Sequence, residues 1–469
     1  MRSSARWLLL AVGVLLGIAA CRRGNDGVRS DAPPAQAAVA TGPAWARDAN
    51  IYEVNVRQYS PEGTFAAFER HLPRLKEMGV EILWFMPIYP ISKVKRKGSL
   101  GSYYAVADYT AVNPNFGTMA EFKALVHRIH DLGMRVILDW VPNHTGWDHP
   151  WVEEHPDWYT RDADGNIVDP RHPETGESFG WTDVADLNYE QPELRRAMID
   201  EMRFWLEEVD VDGFRCDVAG EVPLEFWKEC IPRLRVINPD LFMLAEAEVP
   251  AHRNSGLFTM SYAWSFHHLM NAIAAGEETA AAIGAWLEKD RRVFKRGYHM
   301  QFITNHDENS WNGTVRERLG DAADAMAVLA FTIEGMPLLY SGQEARLDKR
   351  LRFFEKDTID WAGYPKQAFY RTLLELKRRN QALWNGESGG VAQPILTGNE
   401  ADVFAFYRER GADKVLVVLN LSDDLQDIVL KSDACVGEYT NVFANSTITV
   451  TKDMTLQLNP WDYVVWSNQ

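Results

Sequence analysis

From residue 51 to about residue 380 the chain alternates between short apolar runs of strand character and longer segments whose apolar residues recur every three or four positions. Ile51 to Tyr59 alternates at period two. Thr64 to Met78 then places Phe65, Phe68, Leu72 and Leu75 on one helical face before Gly79 ends it. Similar pairs follow: Val80 to Met86 with Met119 to Leu132, Met134 to Val141 with Glu193 to Val209, and Val211 to Asp217 with Leu224 to Ile237. Leu241 to Glu246 leads into a short connection. Leu257 to Tyr262 pairs with Ser265 to Lys289, His299 to Thr304 with Ala322 to Ile333, and Pro337 to Tyr340 with Gln367 to Arg379. Eight apolar strands, mostly followed by helices, predict an α/β fold of the closed (β/α)8 type, a TIM barrel. Counting elements leaves an open doubly wound sheet as the alternative.

Two regions break the rhythm. Residues 144–189, rich in Trp, Asp, Gly, Pro and His, are too long for an idle connection after the third strand and predict an inserted subdomain over 145–190. Beyond Glu387 the helical period stops. Val403 to Tyr407, Lys414 to Leu419, Gln426 to Leu430, Glu438 to Asn441, Thr447 to Val450 and Thr455 to Leu458 predict a C-terminal antiparallel β-sandwich over 385–469, after a barrel spanning 46–384.

The first 45 residues stand outside this pattern. Two arginines precede an apolar run from Trp7 to Ala20, too short for a membrane span and suited to a secretory signal over 1–20. Small residues lead into Cys21, which resembles a bacterial lipoprotein cleavage box. That resemblance implies export, lipidation of Cys21 and anchoring to a bacterial membrane, with the polar, Ala- and Pro-rich segment 21–45 as a flexible tether. An ordinary secretory signal with an incidental cysteine is the alternative. Cys216, Cys230 and Cys435 have no metal-ligand spacing and are expected to be small buried hydrophobes.

A formal charge of −17 argues against nucleic acid as a partner, because phosphate binding depends on clustered Lys and Arg. The 17 Trp, 16 Tyr and 21 Phe offer flat apolar faces suited to amphipathic ligands such as sugars. Nothing in the sequence sets an oligomeric state.

Active sites of such barrels form where strands end at the C-terminal face. Polar residues collect there: Asp139 with Asn143-His144 after the third strand, Arg215 and Asp217 at the end of the fourth, Glu246 ending the fifth, and His306-Asp307 after the seventh. Carboxylates converging on one rim must bind a cation, pair with arginine, or hold protons at shifted pKa values. Two carboxylates across a cleft suit glycoside hydrolysis, one attacking the anomeric carbon while the other protonates the leaving oxygen. Arg215, two residues before Asp217 and on the same side of the strand, favours an ionised Asp217. Glu246 emerges from the apolar run LFMLA and is the better acid.

Asp139-Trp-Val-Pro-Asn143-His144, Gly213-Phe-Arg215-Cys-Asp217, Glu246 after Leu-Ala, and Asn305-His306-Asp307 resemble the four sequence regions of the α-amylase superfamily, in order. Tyr104-Ala-Val-Ala-Asp108-Tyr109, Asp186-Leu187-Asn188 and Leu339-Tyr340-Ser-Gly342-Gln-Glu344 add to the likeness. The resemblance implies that Asp217 is the nucleophile, Glu246 the general acid/base, and Asp307 a third carboxylate gripping sugar hydroxyls. His306 and His144 would also hold the sugar, with Tyr104 as a stacking platform. The implied substrate is an α-glucan or maltooligosaccharide, cleaved at α-1,4 bonds with retention. Transglycosylation, an α-glucosidase or cyclomaltodextrinase activity, and a non-catalytic glycan-binding role are the alternatives, and Trp147, Trp151 and Trp181 are candidates for a dry acceptor side. No cofactor is needed for this chemistry. Members with an interdomain calcium commonly carry Lys-His shortly after the nucleophile. Here Asp217 is followed by Val218-Ala219-Gly220-Glu221, a departure that puts this calcium in doubt; no metal site is assigned, and Asn143 with carboxylates of the insert is the candidate for a structural calcium.

Overall fold

The computed structural model describes residues 42–172 and 174–469; Cys21 and the predicted signal lie outside them. Eight parallel strands close into a barrel: β1 (Ile51–Val54), β2 (Ile82–Phe85), β3 (Arg135–Trp140), and, after the β4 (His144–Gly146) and β5 (Val184–Asp186) hairpin of the insert, β6 (Gly213–Cys216), β7 (Phe242–Ala245), β8 (Met260–Tyr262), β9 (Tyr298–Gln301) and β10 (Met336–Tyr340). Strand order runs β1-β10-β9-β8-β7-β6-β3-β2, so each barrel strand pairs with its neighbour in sequence among the eight. The open doubly wound alternative is thereby excluded.

Side chains alternate along each strand, and the alternation sorts two cores. Ile51, Ile82, Trp84, Ile137, Phe242, Leu244, Met260, Tyr262, Met300, Phe302, Met336 and Leu338 fill the barrel interior. Tyr52, Val54, Leu83, Phe85, Val136, Leu138, Phe214, Met243 and Ala245 face outward and pack under the helical ring. Stepping two residues from interior positions gives Glu53 after Ile51, Asp139 after Ile137, and Glu246 after Leu244. Gly213 continues to Arg215 and Asp217 in the same way. The period of two therefore delivers a polar layer to the upper end of the apolar plug.

The insert is anchored by the β4–β5 pair, in register His144 to Asp186, and by three links to the loop after β2. Lys97 bridges Asp183 at 2.9 Å, the Lys93 amide donates to Asp148 at 2.8 Å, and the Lys95 ammonium lies 3.2 Å from the centre of the Trp147 ring. The C-terminal region forms a six-stranded antiparallel sheet from β11 (Gln393–Ile395), β12 (Val403–Arg410), β13 (Asp413–Asn420), β15 (Gly437–Asn441), β16 (Thr447–Val450) and β18 (Tyr463–Ser467). A second pair, β14 (Gln426–Leu430) with β17 (Met454–Leu458), shares one apolar core with it. Arg408 is buried between this sheet and the barrel. It donates to the carbonyls of Thr332 and Ile333 on one side and Trp384 and Gly390 on the other.

Local chemistry shortened several expected elements. The first strand stops at Val54 because the Asn55 side chain accepts from the Gln58 amide and starts a helical turn, Val56–Tyr59. The helix expected over 64–78 is two, Phe65–Glu69 and Leu72–Met78, with Pro73 in the first turn of the second. The helix expected over 265–289 divides into Trp264–Ala274 and Ala281–Val293 around Gly276, whose φ of 73° is left-handed. Strands β11 and β18 escaped the sequence reading. Cys216, Cys230 and Cys435 are free and buried, as expected.

Gly213 begins β6 against the backbone of β7, where a Cβ would overlap the Phe242 carbonyl. Gly213→Ala is therefore expected to destabilise by about 1–3 kcal/mol, as overpacking does. Urea unfolding monitored by tryptophan fluorescence checks it, and a midpoint equal to that of the native sequence would refute the packing argument.

Candidate active site

One guanidinium organises the rim. Arg215, with no solvent exposure, donates from Nη1 to Asp139 Oδ1 and to Asp217 Oδ1, both at 2.8 Å, and from Nε to the Tyr262 hydroxyl at 3.1 Å. Its Nη2 lies 2.8 Å from Glu246 Oε2, an ion pair that is off the hydrogen-bonding direction. Trp84, Tyr104 and Tyr262 surround the cation with their rings. Asp139 also accepts from Trp84 Nε1 at 3.2 Å and from the Tyr104 hydroxyl at 3.1 Å.

Glu246 accepts from the Val218 amide at 2.8 Å. Val218 adopts a φ of 45°, a conformation that costs a β-branched residue roughly 1–3 kcal/mol, and the turn it makes brings this amide to the acid. On the other side of the site His306 Nδ1 contacts Glu53 Oε1 at 2.5 Å, while Nε2 lies 2.7 Å from the Tyr104 hydroxyl and 3.4 Å from Asp307 Oδ2.

The electrostatics follow from burial. Desolvation drives the Asp139 and Asp217 carboxyls up to about 6, against the pull of Arg215, and drives Glu246 up to about 7. Asp217 holds the aligned hydrogen bond from the guanidinium and Glu246 does not, so Asp217 ionises first. Burial lowers His144 to about 3, which keeps it neutral. His306 is lowered by burial but raised more by Asp307 and Glu53, reaching about 9.

These groups open onto a cleft of about 810 Å³ whose walls include Tyr104, His144, Asp217, Glu246 and Asp307. Of the residues singled out from sequence, Tyr104, His144, Asp217, Glu246 and Asp307 line this cleft, while Cys21 lies outside the described residues. Arg215 and His306 sit just beneath the wall. Tyr104 stacks on His306 and on Phe353, with interplanar angles of 22° and 10°. Trp181 lines the cleft, whereas Trp151 is buried against Tyr109, His149 and Trp158, and Trp147 is covered by Lys95. The three tryptophans therefore do not form one acceptor wall. Sequence reading missed Trp264, Trp311, Phe353 and Phe354 on the cleft and Glu53 beneath it. An acidic residue at an inward position of the first strand was the available signal for Glu53.

Asn143 lies at a separate small cleft with Asp186, Asn188, Glu190 and Glu221, and its amide nitrogen is 3.3 Å from His144 Nδ1. Among the described residues no three Asp, Glu, His or Cys side chains converge on a common metal position. Of the six to eight oxygens that calcium takes, most would fall to backbone carbonyls and water.

Removing the cation would leave three buried carboxylates unpaired. Arg215→Leu is expected to cost about 3–5 kcal/mol at neutral pH. The loss should shrink as the solution is acidified through pH 6 and the carboxyls take up protons. Urea unfolding at two pH values checks both points, and a pH-independent loss would count against the electrostatic account.

Comparison with known proteins agrees with this geometry. The α-amylase catalytic-domain family matches residues 34–391, and the α-amylase SusG C-terminal domain family matches residues 403–465. α-Amylase MalA of Haloarcula japonica is 29% identical over 457 residues, covering 92% of this chain, which spans 65% of that protein's length. The crystal structure of the maltogenic α-amylase AmyB from Thermotoga neapolitana superposes with a TM-score of 0.80 at 30% identity, covering 90% of this chain and 98% of that one. An α-amylase from Lactobacillus plantarum superposes with a TM-score of 0.79 at 29% identity, covering 91% and 100%. By sequence, barrel and the matched C-terminal domain, the chain belongs to the α-amylase family of glycoside hydrolases.

Proposed function

We propose that this protein is a retaining glycosidase that cleaves α-1,4 bonds in starch-derived glucans or maltooligosaccharides. The observation that carries the reading is the Arg215 clamp, which holds Asp217 and Glu246 on neighbouring nitrogens of one guanidinium at the mouth of the cleft. Retaining enzymes keep their carboxyl pair roughly 5–5.5 Å apart, and a shared clamp favours that spacing over the wider inverting one. Asp217, ionised by its aligned bond to Arg215, attacks the anomeric carbon. The glycosidic C–O bond breaks, and the leaving oxygen takes the proton of Glu246. The glycosyl ester on Asp217 then yields to water, whose proton returns to Glu246 as the new C–O bond forms on the original face. Asp307 and His306 grip the ring hydroxyls, contacts that strengthen as positive charge develops on the sugar. His144 adds a neutral contact and Tyr104 an aromatic face.

A sugar could replace water as the acceptor. The aromatic lining supplied by Trp181, Trp264, Trp311 and Phe353 favours that second reading, in which the same intermediate gives transfer products. No cofactor enters either course. A structural calcium beside Asn143 is a separate proposal. A lower melting temperature in EDTA supports it, and superimposable curves oppose it. Anchoring through lipidated Cys21 is likewise proposed from the sequence. Detergent-phase partition of the exported protein that is lost in Cys21→Ser supports it, and unchanged partition opposes it.

Incubation with maltoheptaose and starch, followed by NMR of the first products, should show the α-anomer. Glu246→Gln should lower kcat about 10²–10⁴-fold, and Asp217→Asn should abolish turnover. An initial β-anomer, or full activity in Asp217→Asn, would remove Asp217 from its role. Because Asp217 must be ionised and Glu246 protonated, kcat/KM should rise through pH 6 and fall through pH 7. A profile flat from pH 5 to 8 would contradict that pairing.

A further inference from the structure

Glu53 has no part in the chemistry above, yet it is completely buried at the upper end of β1. Oε1 meets His306 Nδ1, and Oε2 has no hydrogen-bond partner among the described residues. A buried carboxylate with half its acceptors unused is costly unless an adjacent charge compensates. Among the described residues, the imidazole is the one group hydrogen-bonded to this carboxylate.

We propose that Glu53 is a positioning residue that holds His306 as a doubly protonated imidazolium, and thereby sets the direction of the hydrogen bonds at the sugar-facing edge of the site. The inference rests on the reading of this cleft as a glycosidase site. Counting protons supports it. With both ring nitrogens protonated, Nδ1–H donates to Glu53 and Nε2–H donates to the Tyr104 hydroxyl, which then donates its own proton to Asp139 Oδ2. Every proton in the row has an acceptor, and it ends on the Arg215 cluster. With a neutral ring protonated only at Nδ1, the Tyr104 hydroxyl would have to donate to Nε2, and Asp139 would lose a donor.

The charged surroundings favour the imidazolium. From the carboxylate side, Glu53 on β1, Asp307 in the loop after β9 and Asp139 on β3 face the ring; Arg215 on β6 opposes them, and Tyr104 and the edge of Trp84 are neutral. Burial pulls the imidazole down, but the neighbouring Asp307 and Glu53 charges raise it further, which keeps it protonated across neutral pH. Burial also raises Glu53, and the adjacent imidazolium counters that. The consequence is a fixed Tyr104 ring, clamped between His306 and Phe353, and an Nε2–H that also attracts Asp307. Both groups then enter the transition state already oriented.

The test compares the native chain with Glu53→Gln, which keeps the shape and removes the charge. Activity on maltoheptaose at pH 8 should fall about 10–100-fold, mainly in kcat. The ratio of variant to native activity should recover toward one as the pH is lowered to 5, because the imidazole of the variant then becomes protonated without its partner. A purely structural role gives a ratio independent of pH and overturns the proposal. Separately, ¹⁵N-histidine NMR should show the His306 imidazolium in the native protein at pH 8 and a neutral ring in Glu53→Gln, with His306→Gln assigning the signal. A neutral native ring at pH 7 also overturns it. Should Glu53→Gln not fold, the native titration decides alone: a midpoint well above 7 supports the proposal and one near 6.5 overturns it. Because the NMR readout needs no turnover, it stands even if no glucan is cleaved.

Discussion

The site depends on one buried guanidinium facing several buried carboxylates. Arg215 is fully enclosed and touches Asp139, Asp217 and Glu246 at 2.8 Å each. One positive charge cannot neutralise three negative ones in a medium where uncompensated charge is expensive. The imbalance is relieved by protons, and the geometry decides where they go. Asp139 and Asp217 receive aligned hydrogen bonds from Nη1, while Glu246 receives only a misaligned contact from Nη2 and one backbone amide. Glu246 is therefore the group that keeps its proton longest, and a protonated carboxyl stands beside an ionised one. On the opposite wall a separate pair of carboxylates, Asp307 and Glu53, raises the His306 imidazole against the effect of burial.

That cluster is held by backbone features at some distance from the reacting atoms. The absence of a side chain at Gly213 lets β6 lie against β7, which sets the height of Arg215 relative to Glu246. The left-handed turn at Val218 brings an amide back over the acid. Strain and close approach of this kind are tolerated because the barrel around them is packed on both faces of every strand. Above the rim, the links between the loop after β2 and the insert hold the cleft wall that carries Trp181 and Asp183.

Much of this was legible along the chain. The 3.6- and two-residue periods identify the barrel, because a helix or strand can bury only the face that its period lines up. The strand-end positions of Asp139, Arg215, Asp217, Glu246 and Asp307 follow from the same count, and all five meet in the structure. Less legible were the breaks in long helices, where Gly276 and Pro73 were outweighed by an apolar period that ran on past them. The short strands β11 and β18 were missed because pairing across the sheet, more than their own pattern, makes them strands. Trp151 was misread for a related reason. Composition marks an aromatic as able to meet sugar, but whether it faces a cleft or a core depends on what packs against it.

By itself, then, the sequence determined the architecture and the identity of the chemical groups, since periodicity and strand-end placement are local properties of the chain. The tertiary structure decided which groups share a proton and which share a charge. Glu53 and His306 are 253 positions apart, and Tyr52 and Glu344 are 292 apart, yet each pair is hydrogen-bonded. Closing the barrel makes its first and last strands neighbours and gathers the ends of all eight around one axis, and hydrogen bonds and charges act over ångströms of space, whatever the separation along the chain.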